Sequence, residues 1–302
     1  MAQRILVPIE GSGRDAAALD IARHIARQLS TEIVLIHVAP ILFEMKEVIA
    51  AEQQLDEYAQ ALRAEGIETH FVVEYGEPAA EIAQAGETHQ AGMIVLAPEQ
   101  RALLTRLWDP RVSSGLLSSA TVPLLVLPDV APASNPAELL REPDARIIVA
   151  LDGSAHAEAA LPVAIQLAQA YARQLLLVRI VAPIFILGSG VEAVNARHDA
   201  QYAEEVEAHH YLVETRERLT RESGVSAETM QLTGPVVEHL LHLPTTYPGS
   251  LLIMGTHGRS GLARVVIGSV AAAVMSRTTT PAVIVPSRHA RQATKDATTT
   301  QA

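Results

Sequence analysis

The sequence predicts an α/β protein built as two tandem, doubly wound, open parallel sheets of five strands each. Three observations predict it. Short apolar runs alternate with amphipathic stretches, each pair is punctuated by turn residues, and the whole series occurs twice. Runs that are apolar throughout fit strands buried on both faces of a parallel sheet, and strand–helix alternation closes such a sheet with right-handed crossovers.

The duplication is legible residue by residue. "RILVPIEGS" at 4–12 recurs as "RIIVALDGS" at 146–154, "GMIVLAPEQR" at 92–101 as "SLLIMGTHGR" at 250–259, and "TVPLLVLP" at 121–128 as "TTPAVIVP" at 279–286. The steps from Ala97 to Pro123 equal those from Gly255 to Pro281, so the final thirds align without a gap. So long a period marks domain duplication rather than a solenoid. We expect a first domain over 1–130, a proline-rich linker over 131–144, a second domain over 145–288 and a polar, disordered tail over 289–302.

Taken in order, the second copy opens with "IIVAL", a first strand. "HAEAALPVAIQLAQAYA" has helical spacing and strong helix formers. "LLLVRIV" is the second strand, followed by an apolar loop "VAPIFILGSGVEAV" and the helical "EEVEAHHYLVETRERL". "VSAETMQL", "LLIMG" and "AVIVP" supply the remaining strands. In a sheet of this kind ligands lie beyond the carboxyl ends of the strands, where strand order reverses. That edge carries Asp152 after the first strand and Gly255 after the fourth.

Composition narrows the function. Aromatic residues make up only 3%, so the core must be aliphatic. A formal net charge of -11 argues against a duplex nucleic-acid partner, which requires clustered Lys and Arg. The absence of cysteine excludes disulfides and thiolate metal sites. No apolar run reaches the ~18 residues of a membrane span and no signal-like segment precedes the first strand, so we expect a soluble, cytoplasmic protein without a membrane partner.

The chemistry concentrates in "IMGTHGRSGLARVVIGSV", residues 253–270. Gly258 permits close backbone approach to an anion. Gly268-Ser269 precedes the helix-forming "VAAAVMSR"; Ser269 is a candidate cap, and the first N–H groups of that helix suit phosphate. The residues between Gly258 and Gly268 form a flap that brings His257, Arg259 or Arg264 toward negative charge. Asp152 suits ribose hydroxyls or an adenine amino group, and it also suits capping the helix that begins near Ser154. An ordinary glycine-rich connection shares this local spacing.

"GTHGRSGLARVVIGS" resembles the ATP-binding motif of the universal stress protein family, Gly-x2-Gly-x9-Gly-Ser/Thr, with every position filled. "RIIVALDGSAHAEAAL" resembles that family's first strand and aspartate. The resemblance covers nearly the whole chain as a tandem pair and implies a Rossmann-like, adenine nucleotide alpha hydrolase-like fold. It implies ATP, accompanied by Mg2+, with adenine near Ala150, Leu151 and Asp152 and flanked by Ile180. Ribose and phosphates fall to Met254, Gly255, Thr256, His257, Gly258, Arg259, Gly268, Ser269 and Val270. Arg179 stands where the family often has histidine, which the first copy keeps as His37.

The first copy departs from this motif. Glu10 replaces Asp152, Ala97 replaces Gly255, Glu99 and Gln100 replace His257 and Gly258, and Pro110-Arg111 replaces Gly268-Ser269. Proline removes an N–H where phosphate donors are wanted. Trp108, in the same segment, is a candidate to fill the vacated pocket. The first half is expected to bind no ATP and to serve as a structural or regulatory partner.

Other features have plainer readings. His239 and His242 share a helix face beside Glu238, but zinc needs three or four ligands and no third is fixed. No Gly-x-Ser-x-Gly elbow and no Walker Gly-Lys-Ser/Thr occurs, and the motif lacks a catalytic lysine. The leading expectation is therefore a nucleotide-dependent stress-response or regulatory protein with at most weak ATP hydrolysis. A protein-interaction scaffold and an adenylyl-transfer enzyme are the alternatives. The apolar last strands of the two halves invite pairing, within the chain or between chains; we expect a homodimer and a further protein partner.

Overall fold

The computed structural model describes residues 4–42, 45–97, 116, 119–128, 140–185, 190–256 and 268–286. The first half contains β1 (Arg4–Pro8), α1 (Asp15–Leu29), β2 (Ile33–Ala39), α2 (Met45–Ala64), β3 (Thr69–Tyr75), α3 (Pro78–Thr88), β4 (Ala91–Leu96) and β5 (Leu124–Val126). The second contains β6 (Ile147–Ala150), α4 (Ala155–Glu158), α5 (Ala160–Tyr171), β7 (Leu175–Val181), α6 (Val191–Ser223), β8 (Ala227–Thr233), α7 (Val236–Thr246), β9 (Leu251–Gly255), α8 (Ser269–Arg277) and β10 (Ala282–Val285).

The expected doubly wound order is present in each half, but the two sheets are one. Ten strands run β3-β2-β1-β4-β5-β10-β9-β6-β7-β8. Pairing is parallel throughout except at the seam, where β5 and β10 run antiparallel with Val126 opposite Ala282 and Leu124 opposite Ile284. The last strands thus cover each other's edges, which removes the unpaired apolar edge that either half alone would expose.

Alternate strand residues feed two aliphatic layers. Ile5, Val7, Ile33, Leu35, Leu175 and Leu177 face one side with buried residues of α1, α2, α5 and α6. Leu6, Val34, Ile36, Leu176 and Val178 face the other with α3, α7 and α8. Both layers cross the seam, so the halves share their core.

The end of the linker is anchored. Leu140 is 2% exposed and its N–H donates to the Gly249 carbonyl at 2.8 Å. Arg173 donates to the carbonyls of Leu140 at 2.7 Å and Arg141 at 2.8 Å. Residues 129–139 and 287–302, which hold most of the expected linker and the expected tail, lie outside the described residues.

Two elements differ from the sequence reading. Helix α6 begins at Val191, with Gly190 as its N-cap, so "VEAV" is helix rather than loop. It runs for 33 residues, roughly 50 Å, yet its buried residues are only Ala208, Leu212, Thr215 and Leu219. Ser269 is the first residue of α8, while Gly268 is the N-cap and no side chain caps that end.

Candidate functional site

A cavity of about 350 Å3 opens at the carboxyl ends of β6, β7 and β9 in the second half. It gathers the residues expected from the sequence out of four separated stretches. Ala150, Leu151 and Asp152 come from the end of β6, and Ile180 from β7. Met254, Gly255 and Thr256 come from the end of β9, and Gly268, Ser269 and Val270 from the start of α8. Val178, Val236, Leu240, Ala157 and Ala271 complete the lining. His257, Gly258 and Arg259, with the flap residues Ser260 and Arg264, lie outside the described residues.

The lining is an apolar slot with a polar rim. Ile180 and Val178 share the cavity-facing side of β7 because side chains alternate along a strand. Arg179 therefore points to the opposite layer, where it is 2% exposed and ion-paired with Glu204, at 3.3 Å, and with Glu207 of α6. Its guanidinium lies 5.3 Å from the Tyr211 ring centroid. In the first half the aligned His37 instead bonds the Ile9 carbonyl through Nδ1 at 2.8 Å.

Asp152 lines the cavity but does not cap α4 itself; the cap is Ser154, which Asp152 holds in place. Its Oδ1 accepts from Ser154 N–H at 3.0 Å and from Ser154 Oγ at 2.7 Å. Ser154 Oγ in turn accepts from Ala157 N–H at 3.2 Å, opening α4. Gly153 between them has φ +86°, and Gly11 in the first half has φ +77°. The repeated Glu/Asp-Gly-Ser is thus a left-handed turn that favours glycine at its centre.

Gly255 has a packing reason that the sequence does not reveal. A Cβ there would lie 2.7 Å from the His156 carbonyl oxygen and 3.3 Å from Ala157 Cα. The strand end passes directly against α4, which brings Ala157 into the cavity wall. Gly268 closes the other side. Its N–H donates to the Thr256 carbonyl at 2.8 Å, and Thr256 N–H donates to Val285 at 3.0 Å. The two ends of segment 257–267 are therefore tied together at the cavity mouth. The next N–H groups, of residues 269–271, belong to the turn that a helix leaves without intrahelical acceptors.

The first half organises the equivalent turn around a carboxylate of its own. Asp15, aligned with Ala157, is 4% exposed and accepts from the N–H groups of Glu10, Gly11 and Ser12 at 3.2, 2.8 and 3.1 Å. Burial raises its pKa above the usual aspartate value, and the three backbone donors oppose that rise. Trp108, Glu99, Gln100, Pro110 and Arg111 lie outside the described residues, whereas Ala97 is partly buried against the core.

The histidines of α7 have structural neighbours. The His239 ring folds over Gly234, Glu238 pairs with Arg277 at 3.1 Å, and His242 takes Thr245 Oγ1 on its carbonyl at 2.6 Å. Among the described residues no three or more His, Asp or Glu side chains gather as a metal site.

Comparison with known proteins fixes the family. The universal stress protein family model matches residues 1–128 and again residues 145–286. The chain belongs to the universal stress protein family, as a tandem member. The Bacillus subtilis universal stress protein YxiE is 28% identical over 144 residues, covering 46% of this chain and 97% of that protein. A universal stress protein from Archaeoglobus fulgidus superposes with a TM-score of 0.69 at 19% identity, over 95% of this chain and 99% of its own. A functionally unknown protein from Pseudomonas aeruginosa PAO1 superposes with a TM-score of 0.67 at 18% identity, over 97% and 98%. At these identities the structures speak to the fold. Among the described residues of this universal stress protein, no helix is long and apolar enough to cross a membrane.

Proposed function

We propose that the second half binds an adenine nucleotide, ATP with Mg2+, and that occupancy serves as a regulatory signal in a stress response. The observation that supports this reading is the cavity in which the ends of β6, β7 and β9 meet the start of α8. Its volume of about 350 Å3 falls in the range of roughly 300–1,000 Å3 typical of small-molecule sites. The apolar walls from Val178, Ile180, Val236 and Leu240 suit a planar base. Asp152 offers a carboxylate to ribose hydroxyls. The N–H groups of the first turn of α8, which lack intrahelical acceptors, suit phosphate, as does the positive end of that helix's dipole. Mg2+ would accompany the phosphates as their counter-ion.

Binding rather than turnover is the reading the lining favours. Asp152 is the one titratable side chain among the described residues around the cavity, and it is committed to the Ser154 turn. A homodimer must use a surface other than β5 and β10, whose edges are already paired within the chain.

The experiment is a thermal-unfolding series with ATP, ADP, AMP and GTP, each with magnesium. Adenine nucleotides should raise the midpoint and GTP should not. An unchanged midpoint at millimolar ATP would speak against the reading.

A scaffold role has one observation of its own. Large apolar side chains are exposed at the same crossover of both halves: Ile41, Leu42 and Met45 after β2, Phe185 and Val191 after β7. Such clusters mark protein contacts.

A further inference from the structure

Helix α6 grips the turn that carries Asp152. Glu158, the last residue of α4, accepts from Tyr211 Oη at 3.1 Å on one carboxylate oxygen. Its other oxygen accepts from Arg218 Nη2 at 2.6 Å. Both donors lie on α6. Tyr211 is in turn stacked by the buried guanidinium of Arg179. Burial, with the Glu158 carboxylate next, pushes the Tyr211 phenol well up, so it remains a hydroxyl donor through the neutral range. Glu158 directly follows Ala157, which lines the cavity and whose N–H is the donor to Ser154. A hydrogen-bonded path thus runs from Tyr211 through Glu158 and α4 to Ser154 and Asp152.

The duplicated first half acts as an internal control. The residue aligned with Glu158 is Ala16. Tyr211 precedes the buried Leu212, and the residue preceding the corresponding buried Leu55 on α2 is Gln54. Gln54 bonds Tyr58 and touches the Gly11 turn instead. The paired tyrosine and carboxylate therefore stand in the half that keeps the aspartate and the full glycine motif. The half that lacks both turns its loop around Asp15.

We propose that Tyr211 and Glu158 are positioning residues that hold the Asp152–Ala157 turn so that the Asp152 carboxylate faces the cavity. Their effect on ligand selection rests on the nucleotide reading above; their effect on the turn does not. They act through α4 and touch no ligand.

The test uses the full chain and two readouts. Amide hydrogen exchange without ligand compares wild type with Tyr211→Phe, Glu158→Gln and, as a control, Tyr171→Phe. The Tyr171 hydroxyl is likewise buried but has no hydrogen-bond partner among the described residues. Tyr211→Phe should speed exchange at Ser154 and Ala157 by about tenfold, the scale of one lost hydrogen bond to a charged group. Leu176 and Ile253 amides in the sheet should keep their protection, and Tyr171→Phe should leave Ser154 and Ala157 unchanged. Unaltered exchange at Ser154 and Ala157, or an equal rise across the sheet, overturns the positioning role.

The second readout is affinity for ATP against 2′,3′-dideoxy-ATP. Wild type should prefer ATP, and Tyr211→Phe should lose most of that preference while holding the dideoxy ligand unchanged. An equal weakening of both ligands would overturn the positioning role in favour of plain structural support. A wild type that binds neither ligand contradicts the nucleotide reading alone, because the exchange comparison still decides what Tyr211 does.

Discussion

Gly255 and His156 approach so closely that a Cβ on residue 255 would stand 2.7 Å from the His156 carbonyl oxygen. Both partners are backbone, so neither can swing aside. Gly255→Ala should destabilise the protein by about 1–3 kcal/mol, the usual cost of overpacking. It should also displace α4 from the cavity wall. Chemical denaturation reads the first effect, and a wild-type midpoint would show that the strand end moves without cost.

Gly268 has φ -59°, a value proline adopts readily. Gly268→Pro should therefore leave α8 intact while deleting the 2.8 Å bond to Thr256 that ties the cavity mouth. We expect a stability loss of only about 1 kcal/mol, with far-ultraviolet dichroism unchanged. A collapse of helical signal would contradict this.

Asp15 should make the first half respond to pH. Its folded-state pKa is raised by burial, so the native state holds the proton more tightly than the unfolded chain. Its contribution to stability is fully present below the unfolded value and is lost as pH rises through the folded one. Wild type should thus gain on Asp15→Asn as pH is lowered from 7 to 4, measured by urea denaturation at each pH. A gap that widens in the opposite direction would refute the assignment.

The seam predicts how the halves behave apart. A chain of residues 145–286 exposes β10, with Ala282, Val283 and Ile284 stripped of their β5 partners. Such an edge should pair with its own copy, so sedimentation should show dimers. A segment that stays monomeric while folded would show that the bare β10 edge does not pair.

Much of this was readable in the sequence because it is local. "IIVAL" and "LLIMG" announce buried strands by composition, and the interval from Gly255 to Ser269 points to one edge of one sheet. Of the thirteen residues that the family resemblance implies, ten line the same cavity, and the other three fall in segment 257–267. What stayed hidden depends on distant chain segments. The union of two sheets follows from β5 meeting β10, and no pattern within either strand specifies its partner. The packing of Gly255 depends on His156, far away in sequence. Arg179 interrupts an apolar run, and its burial makes sense only with Glu204 and Glu207 opposite. The Tyr211–Glu158 contact joins two helices whose sequences read as ordinary amphipathic surface. Ser269 looked like a cap because serine favours that position, yet Gly268 takes it, bonded to Thr256.

The proposed occupant of the second half is an adenine nucleotide held between Asp152 and the start of α8. Calorimetric titration of ATP and magnesium into nucleotide-free protein tests it most directly, with Gly268→Pro titrated alongside. One site per chain is expected in wild type, and that site should be lost in the folded variant. No heat from wild type, or two equivalent sites, or unchanged binding by Gly268→Pro would contradict it.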